Sequence, residues 1–315
     1  MQTKTPEAVT AQSPLALGRV AVLMGGTSAE RAISLKSGAE VTHALQQAGV
    51  TATACDVTSV ADVMAVVQSY DRAFIALHGR WGEDGGVQAL LEALNFPFTG
   101  SGLAASALAM DKLRTKWVWR GVGLPTPDFQ VVSPSQPFKS EDFALSFPVI
   151  VKPSHEGSSL GMRKVADLPA LKEAIAAAEV YDSEILIEQW IAGREFTCAV
   201  LGDAALPMIQ LKTDHAFYDF EAKYQSNDTQ YLCPCGLPKE MEQRLQALVL
   251  DAFHVIGARH WGRVDLMLDE NDQAWLIELN TVPGMTDHSL VPMAAKAADL
   301  PFPELVRRLV SMTLT

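Results

Sequence analysis

Apolar positions along this chain recur with two periods, that of a strand and that of a helix, and the two alternate from Arg19 onward. RVAVLM is an apolar run ending in Gly25-Gly26, which predicts a buried strand, and helical spacing follows over 33–47. RAFIAL (72–77) predicts a second buried strand running into the loop HGRWGEDG, then a helix at VQALLEAL and a turn at 99–102. Strand, loop and helix in alternation predict a parallel sheet with functional loops at its strand C-termini. A second unit starts near Gly102 with one helix carrying Asp111, Lys112 and Arg114, which stops at GVGLPTP. FQVV, FPVIVK, a short strand at 162–165, a helix at 168–178 and the strand EILIEQW (184–190) make this a small α+β unit. The third begins at Arg194 with REFTCAVL and continues through a polar, aromatic stretch 212–235. It then has a helix at 239–258, a hairpin at 263–280 and a helix from Phe302. The fold class is α/β and α+β, in units 18–101, 102–190 and 191–315, behind an extension 1–17 expected to be mobile.

The hairpin carries the densest chemistry. RVDLML and AWLIELN flank the polar break DENDQ. A turn centred on Asn271-Asp272 sets Asp265 opposite Glu278 and Arg263 opposite Asn280, all projecting from one face. Val264, Leu266, Leu268, Ile277 and Leu279 take the other face and pack inward. Two carboxylates and an amide oxygen beside an arginine form a hard oxygen site suited to Mg²⁺ that bridges phosphates. A surface hairpin with a charged wet face has the same pattern, so the rest of the chain decides between the two.

Composition narrows the classes. The net charge, 25 − 37 = −12, argues against a nucleic-acid partner. Cys55, Cys198, Cys233 and Cys235 fit neither a disulfide framework nor a zinc site, and read as reduced thiols of a cytoplasmic protein. No apolar run nears the ~20 residues that span a bilayer, so no membrane partner is expected.

Other motifs point to phosphate and small-substrate chemistry. GGTSAER follows a strand and opens a helix without G-x-G-x-x-G spacing, which suits an anion or substrate carboxylate and not a nicotinamide cofactor. Glu30 in that loop can accept an ammonium group or simply stabilise the helix dipole. In PVIVKPSHEGSSLGM a strand delivers Lys152 into a loop with Gly157, Ser158, Ser159 and Gly161, whose N–H groups and hydroxyls suit phosphate oxygens. Its lysine precedes the glycines, so it is not a Walker A loop. EILIEQWIAGREF places Glu188 and Glu195 around Trp190-Ile191, compatible with an adenosine pocket or with a plain interdomain strand. The aromatics of 212–235 suit a lid that folds over a site, or an Ω-loop packed for stability.

In order, GGTSAER, HGRWGEDG, MDK, PVIVKPSHEGSSLGM, EFT, FYDFEAKY, GRVDLML and IELNTVPGMTDHS resemble the D-alanine–D-alanine ligase family of the ATP-grasp superfamily, over about 19–310. The resemblance implies a three-domain ATP-grasp architecture with an N-terminal parallel-sheet (pre-ATP-grasp) domain. It also implies ATP-dependent joining of two D-alanines through a D-alanyl phosphate for peptidoglycan precursor synthesis, in a cytoplasmic homodimer. Two Mg²⁺ ions, which Mn²⁺ can replace, are the implied metals. Matched position by position, Lys112, Lys152, Ser159 and the lid lysine Lys223 would bind ATP phosphates, and Glu188, Trp190 and Glu195 its adenosine. Asp265, Glu278 and Asn280 would ligate metal. Glu30 would hold the first D-alanine's ammonium, linked to Ser158 and Tyr224, with His78 alongside. Arg263 and the Gly284 backbone would stabilise an oxyanion, and Ser289 and Leu290 would form the second D-alanine's pocket. Ala32, Ala216 and Cys235 depart from the family pattern at positions without a chemical role. Two alternatives are a D-alanine–D-lactate ligase, which by resemblance would lack Tyr224, and a catalytically silent nucleotide-binding regulator, which would have lost a metal ligand or phosphate lysine.

Overall fold

RVAVLM forms the centre of the first sheet because it is covered on both sides. The structure, a computed structural model, describes residues 14–157, 160–212, 229–286 and 288–314. The extension read over 1–17 lies outside the described residues up to 13; Pro14–Leu17 form a 3-10 helix in which Leu17 is buried. β1 (Arg19–Gly25) is followed by α1 (Arg31–Gln47), β2 (Thr51–Val57), α2 (Val60–Ser69), β3 (Arg72–Ile75) and α3 (Gly86–Ala93). The sheet is parallel in the order β2-β1-β3. RAFIAL is therefore the third strand and not the second. The strand between, TATACDV, alternates small and polar residues and is half exposed at the sheet edge, so it has no apolar run to betray it.

The single helix expected around Asp111 is two helices, α4 (Leu103–Met110) and α5 (Lys112–Gly121). Asp111 breaks them apart in an extended conformation, and its Oδ1 accepts the Arg114 N–H at 3.0 Å as the N-cap of α5. Both helices pack against the C-terminal unit. Trp119 is fully buried beside Phe253 and Val264, and its Nε1 donates to the Ala252 carbonyl at 3.0 Å.

β4 (Phe129–Val132), β5 (Val149–Pro153), β6 (Arg163–Val165) and β7 (Ile185–Gln189) form an antiparallel sheet, order β4-β7-β5-β6, under α6 (Leu168–Ala178). Its core is Val149, Val151, Leu171, Ile175, Ile185 and Ile187. The C-terminal unit comprises β8 (Gly193–Leu201), β9 (Ala204–Ala205), β10 (Ile209–Lys212), β11 (Gln230–Leu232), α7 (Lys239–Val255), β12 (Trp261–Asp269), β13 (Ala274–Asn280), α8 (Leu290–Ala297) and α9 (Phe302–Ser311). Its sheet runs β11-β10-β8-β12-β13. α9 returns to the first unit and packs on α1, where Leu305 and Leu309 share a core with Val41 and Leu45. No helix among the described residues is long and apolar enough to cross a membrane.

The hairpin keeps the expected pairing at its functional end, Arg263 with Asn280 and Asp265 with Glu278. Nearer the turn the register shifts by one: Leu266 pairs with Leu276, and Ile277 is the extra residue of a β-bulge. The inward face of β13 is thus Ala274, Leu276 and Leu279, whereas Ile277, expected inside, is half-buried. The turn is one residue tighter than assumed, with Asp272 at φ +59° and its N–H donating to the Asp269 carbonyl at 3.0 Å. The bulge absorbs that residue, so the site end keeps its parity.

Candidate active site

The three sheets leave a cavity of about 480 Å³ between them. Glu30 and His78 line it from the first unit, Lys112 from the start of α5, and Arg263, Glu278 and Asn280 from the hairpin; Gly284, Ser289 and Leu290 close the remaining side. Residues far apart in sequence meet here on the loops, the helix starts and the hairpin face that border the cavity.

Glu30 is the residue before α1, yet its side chain makes no capping hydrogen bond. It folds towards the loop after β3, where Gly79 (φ +71°) leaves space: a Cβ there would lie 2.8 Å from the Glu30 Oε2. His78 is buried, with Nδ1 facing two acceptors, the Val282 carbonyl at 3.1 Å and Glu83 Oε1 at 3.3 Å, and Nε2 3.1 Å from Ser37 Oγ. Nδ1 therefore carries a proton. Burial alone would lower the His78 pKa, but the hydrogen bond to Glu83 and the charges of Glu83 and Glu30 hold it above the ordinary value. Burial pushes the Glu83 carboxyl up, with the hydrogen bond from His78 opposing.

Across the cavity, Ser289 Oγ accepts the Thr286 N–H at 2.9 Å. A Cβ on Gly284 would lie 2.9 Å from that hydroxyl, so the glycine lets the backbone approach it. On the hairpin, Arg263 donates through Nε and Nη2 to the two oxygens of Asp265, both at 2.8 Å, and Thr197 Oγ1 donates to Asp265 Oδ1. Glu278 Oε2 is 3.7 Å from the Lys112 ammonium, and Asn280 Oδ1 accepts the Val282 N–H at 3.2 Å. Three hard oxygen donors thus occupy cross-strand and neighbouring positions, and each carboxylate keeps lone pairs for a cation. The set fits Mg²⁺.

Beside the cavity, Lys152, the next-to-last residue of β5, lies inside the protein. Glu188 Oε2 lies 2.9 Å from its ammonium and 2.8 Å from that of Lys116, and all three side chains are buried. Lys116 also donates to Thr126 Oγ1 at 2.7 Å. Burial lowers the Lys116 pKa to about 8 against the pull of Glu188, while the two ammonium groups hold the Glu188 carboxyl below its usual value despite burial. The Lys164 ammonium sits 3.9 Å above the Trp190 ring. Glu195 is on β8, paired with Leu211 of β10 and Met267 of β12. Lys152, Glu188, Trp190, Glu195 and Asp265 do not line the cavity itself, unlike the other described positions expected in the site. Ser158, Ser159, Lys223, Tyr224 and most of the lid stretch lie outside the described residues.

Sequence reasoning passed over Lys36 and Glu83, which line the cavity, and Lys116, which completes the buried charge group; Tyr231, one of the aromatics read as covering a site, lines the cavity too. Lys116 had one legible sign, its i+4 spacing from Lys112 on α5, but an ordinary solvated helix lysine has the same spacing.

Family models described as D-ala D-ala ligase N-terminus and D-ala D-ala ligase C-terminus match residues 60–101 and 118–311. A D-alanine–D-alanine ligase of Hydrogenovibrio crunogenus is 73% identical over 298 residues, 95% of each chain. One from Marinobacter nauticus is 56% identical over 95% of this chain and 92% of its own. Crystal structures of a Bacillus anthracis D-alanine–D-alanine ligase superpose with TM-scores of 0.86 and, complexed with ATP, 0.85. They are 32% and 30% identical, and each comparison covers 94% of this chain and 97% of the other. The motifs, the architecture and these relatives together establish that the chain belongs to the D-alanine–D-alanine ligase family.

Proposed function

We propose that this chain joins two D-alanines at the expense of ATP, in the cytoplasm and as a homodimer, to supply D-alanyl-D-alanine for peptidoglycan precursors. The observation that carries the reading is the convergence of Glu30, Lys112, Arg263 and Glu278 on one cavity. A carboxylate is a poor electrophile, so the first D-alanine's carboxylate oxygen attacks the γ-phosphorus of ATP, giving D-alanyl phosphate and releasing ADP. Glu30 holds that substrate's ammonium with Ser158 and Tyr224, and His78 lies alongside. Lys112, Lys152 and Lys223 offset the phosphate charge, with Ser159 as a further donor. Glu188, Trp190 and Glu195 form the adenosine pocket, consistent with ATP bound to the Bacillus anthracis relative. Asp265, Glu278 and Asn280 would hold Mg²⁺, or Mn²⁺ in its place, which when bound neutralises phosphate charge.

The second D-alanine, seated against Ser289 and Leu290, loses a proton and attacks the acyl carbon through its amine; inorganic phosphate leaves as the amide forms. Arg263 and the Gly284 N–H stabilise the tetrahedral oxyanion, each by roughly 3 kcal/mol. The lid over 212–235 excludes the water that would otherwise hydrolyse the acyl phosphate. Tyr224 favours an amine over a hydroxyl acceptor, hence D-alanine over D-lactate.

Hydroxylamine tests the intermediate. With ATP, Mg²⁺ and limiting D-alanine, hydroxylamine should intercept the acyl phosphate to give D-alanine hydroxamate and phosphate. Phosphate release with no hydroxamate, at hydroxylamine in large excess, counts against carboxylate activation.

A further inference from the structure

The loop after β5 opens on Ser154-His155-Glu156, and no step of the proposed reaction uses the histidine. Its N–H and its Nδ1 both meet Asp182 Oδ2 at 2.8 Å, while Nε2 lies 3.1 Å from Asp111 Oδ2. Each ring nitrogen faces a carboxylate that can only accept, so both must donate and the ring is an imidazolium. The two carboxylates belong to different elements. Asp111 caps α5, whose first residue is Lys112; Asp182 stands before β7 and accepts the Glu184 N–H at 3.1 Å.

The same junction is stitched to Lys112 directly. Lys112 N donates to the Ser154 carbonyl at 3.1 Å and Lys112 Nζ to the Glu156 carbonyl at 2.7 Å. Ser154 Oγ donates to Asp111 Oδ1 at 3.2 Å. His155 adds a cationic link that joins Asp111 to Asp182, beside those made by Lys112 and Arg114. We propose that His155, as a cation bridging Asp111 and Asp182, is a positioning residue that keeps Lys112 and residues 154–157 in register for the ATP phosphates. This rests on the reading of Lys112 as a phosphate ligand.

The surrounding charges favour the bridge. Glu184 Oε2 is 3.9 Å from His155 Nε2, Arg114 pairs with both Asp111 and Glu184, and Arg80 pairs with Glu156. Asp111, His155 and Glu184 are close enough to one another to hold a metal ion, but Arg114 already occupies two of them and a proton the third. The hydrogen bond to Asp111 is the main cause that raises His155 to about 9, burial opposing; Asp111 is down to about 2, its hydrogen bonds from His155 and Arg114 outweighing burial. A histidine raised in the folded state gives its full contribution below about pH 6.5 and loses it as pH rises through about 9.

The test compares His155→Gln and His155→Arg in ATP-dependent phosphate release from pH 6 to 10. His155→Gln should raise the KM for ATP about tenfold or more at pH 7 with kcat changed far less, the scale of a lost charge-assisted hydrogen bond. His155→Arg should restore a near-native KM and remove the rise in KM that the native chain shows above about pH 9. A native KM in His155→Gln, or the native alkaline rise surviving in His155→Arg, overturns the proposal; the second variant decides if the first does not fold. Lys112→Ala checks the reading beneath: an unchanged KM for ATP there removes Lys112 from phosphate binding and the proposal with it. A raised KM in Lys112→Ala beside an unchanged one in His155→Gln overturns the proposal alone.

Discussion

Replacing Glu278 with alanine lowers turnover about a thousandfold or more and leaves the fold intact, since a lost metal ligand removes several kcal/mol of charge stabilisation and about 1.4 kcal/mol is tenfold in rate. Glu278 sits on the wet face of the hairpin opposite Asp265, half-exposed, and its contact with Lys112 at 3.7 Å is loose. Truncating it leaves the Lys112 ammonium hydrogen-bonded to the Glu156 carbonyl, and the 3.7 Å ion pair that is lost is a long one. Thermal melting should therefore match the native chain while the Mg²⁺ concentration for half-maximal rate rises steeply. A variant with near-native turnover would contradict the assignment of this hairpin face to metal binding.

Glu188→Ala acts through the opposite physics, on stability first. Lys116 and Lys152 are buried, and Glu188 is the carboxylate between their ammonium groups. Removing one partner from a buried charge group costs about 3–5 kcal/mol because the remaining charges are left uncompensated. The melting temperature should fall by several degrees, and adding Lys116→Met should recover part of it by removing one stranded ammonium. The deficit has a pH signature. Burial lowers Lys116 to about 8 even against the pull of Glu188, so without that carboxylate the folded value falls further. From there up to about 8 the variant's unfolded chain binds the proton more readily than its folded one, while the native chain keeps it in both states. Stability then rises with pH, and the gap between variant and native melts should narrow from pH 7 to pH 9. Equal melts for the two proteins at pH 7 would show that the lysines find other partners.

Much of the site was legible because strand parity is a local rule. The pairing of Asp265 with Glu278 follows from counting back from a turn, and it survives although the turn is tighter than assumed, because Ile277 bulges out. That compensation has no sequence signal: Ile277 is as apolar as its inward neighbours. The strand Thr51–Val57 was illegible for the opposite reason, since an edge position lets small and polar residues take the place of an apolar run. Asp111 reads as one more helical residue until its carboxylate is seen capping α5. Lys116, Glu83 and His155 acquire meaning only from partners 72, 5 and 44 or 27 positions away, contacts that hydrophobic periodicity does not encode. The role proposed for each motif residue rests instead on the ordered set of motifs, which identifies a chemistry that no single spacing specifies.

The most direct test of the central claim is ATP-dependent phosphate release with Mg²⁺ and D-alanine, read beside parallel reactions with L-alanine and with D-alanine plus D-lactate, with products identified by mass. The account predicts release with D-alanine and not with L-alanine, one D-alanyl-D-alanine per phosphate, and no depsipeptide when D-lactate is added. Release that requires D-lactate, or none with any substrate despite ATP binding, would contradict it.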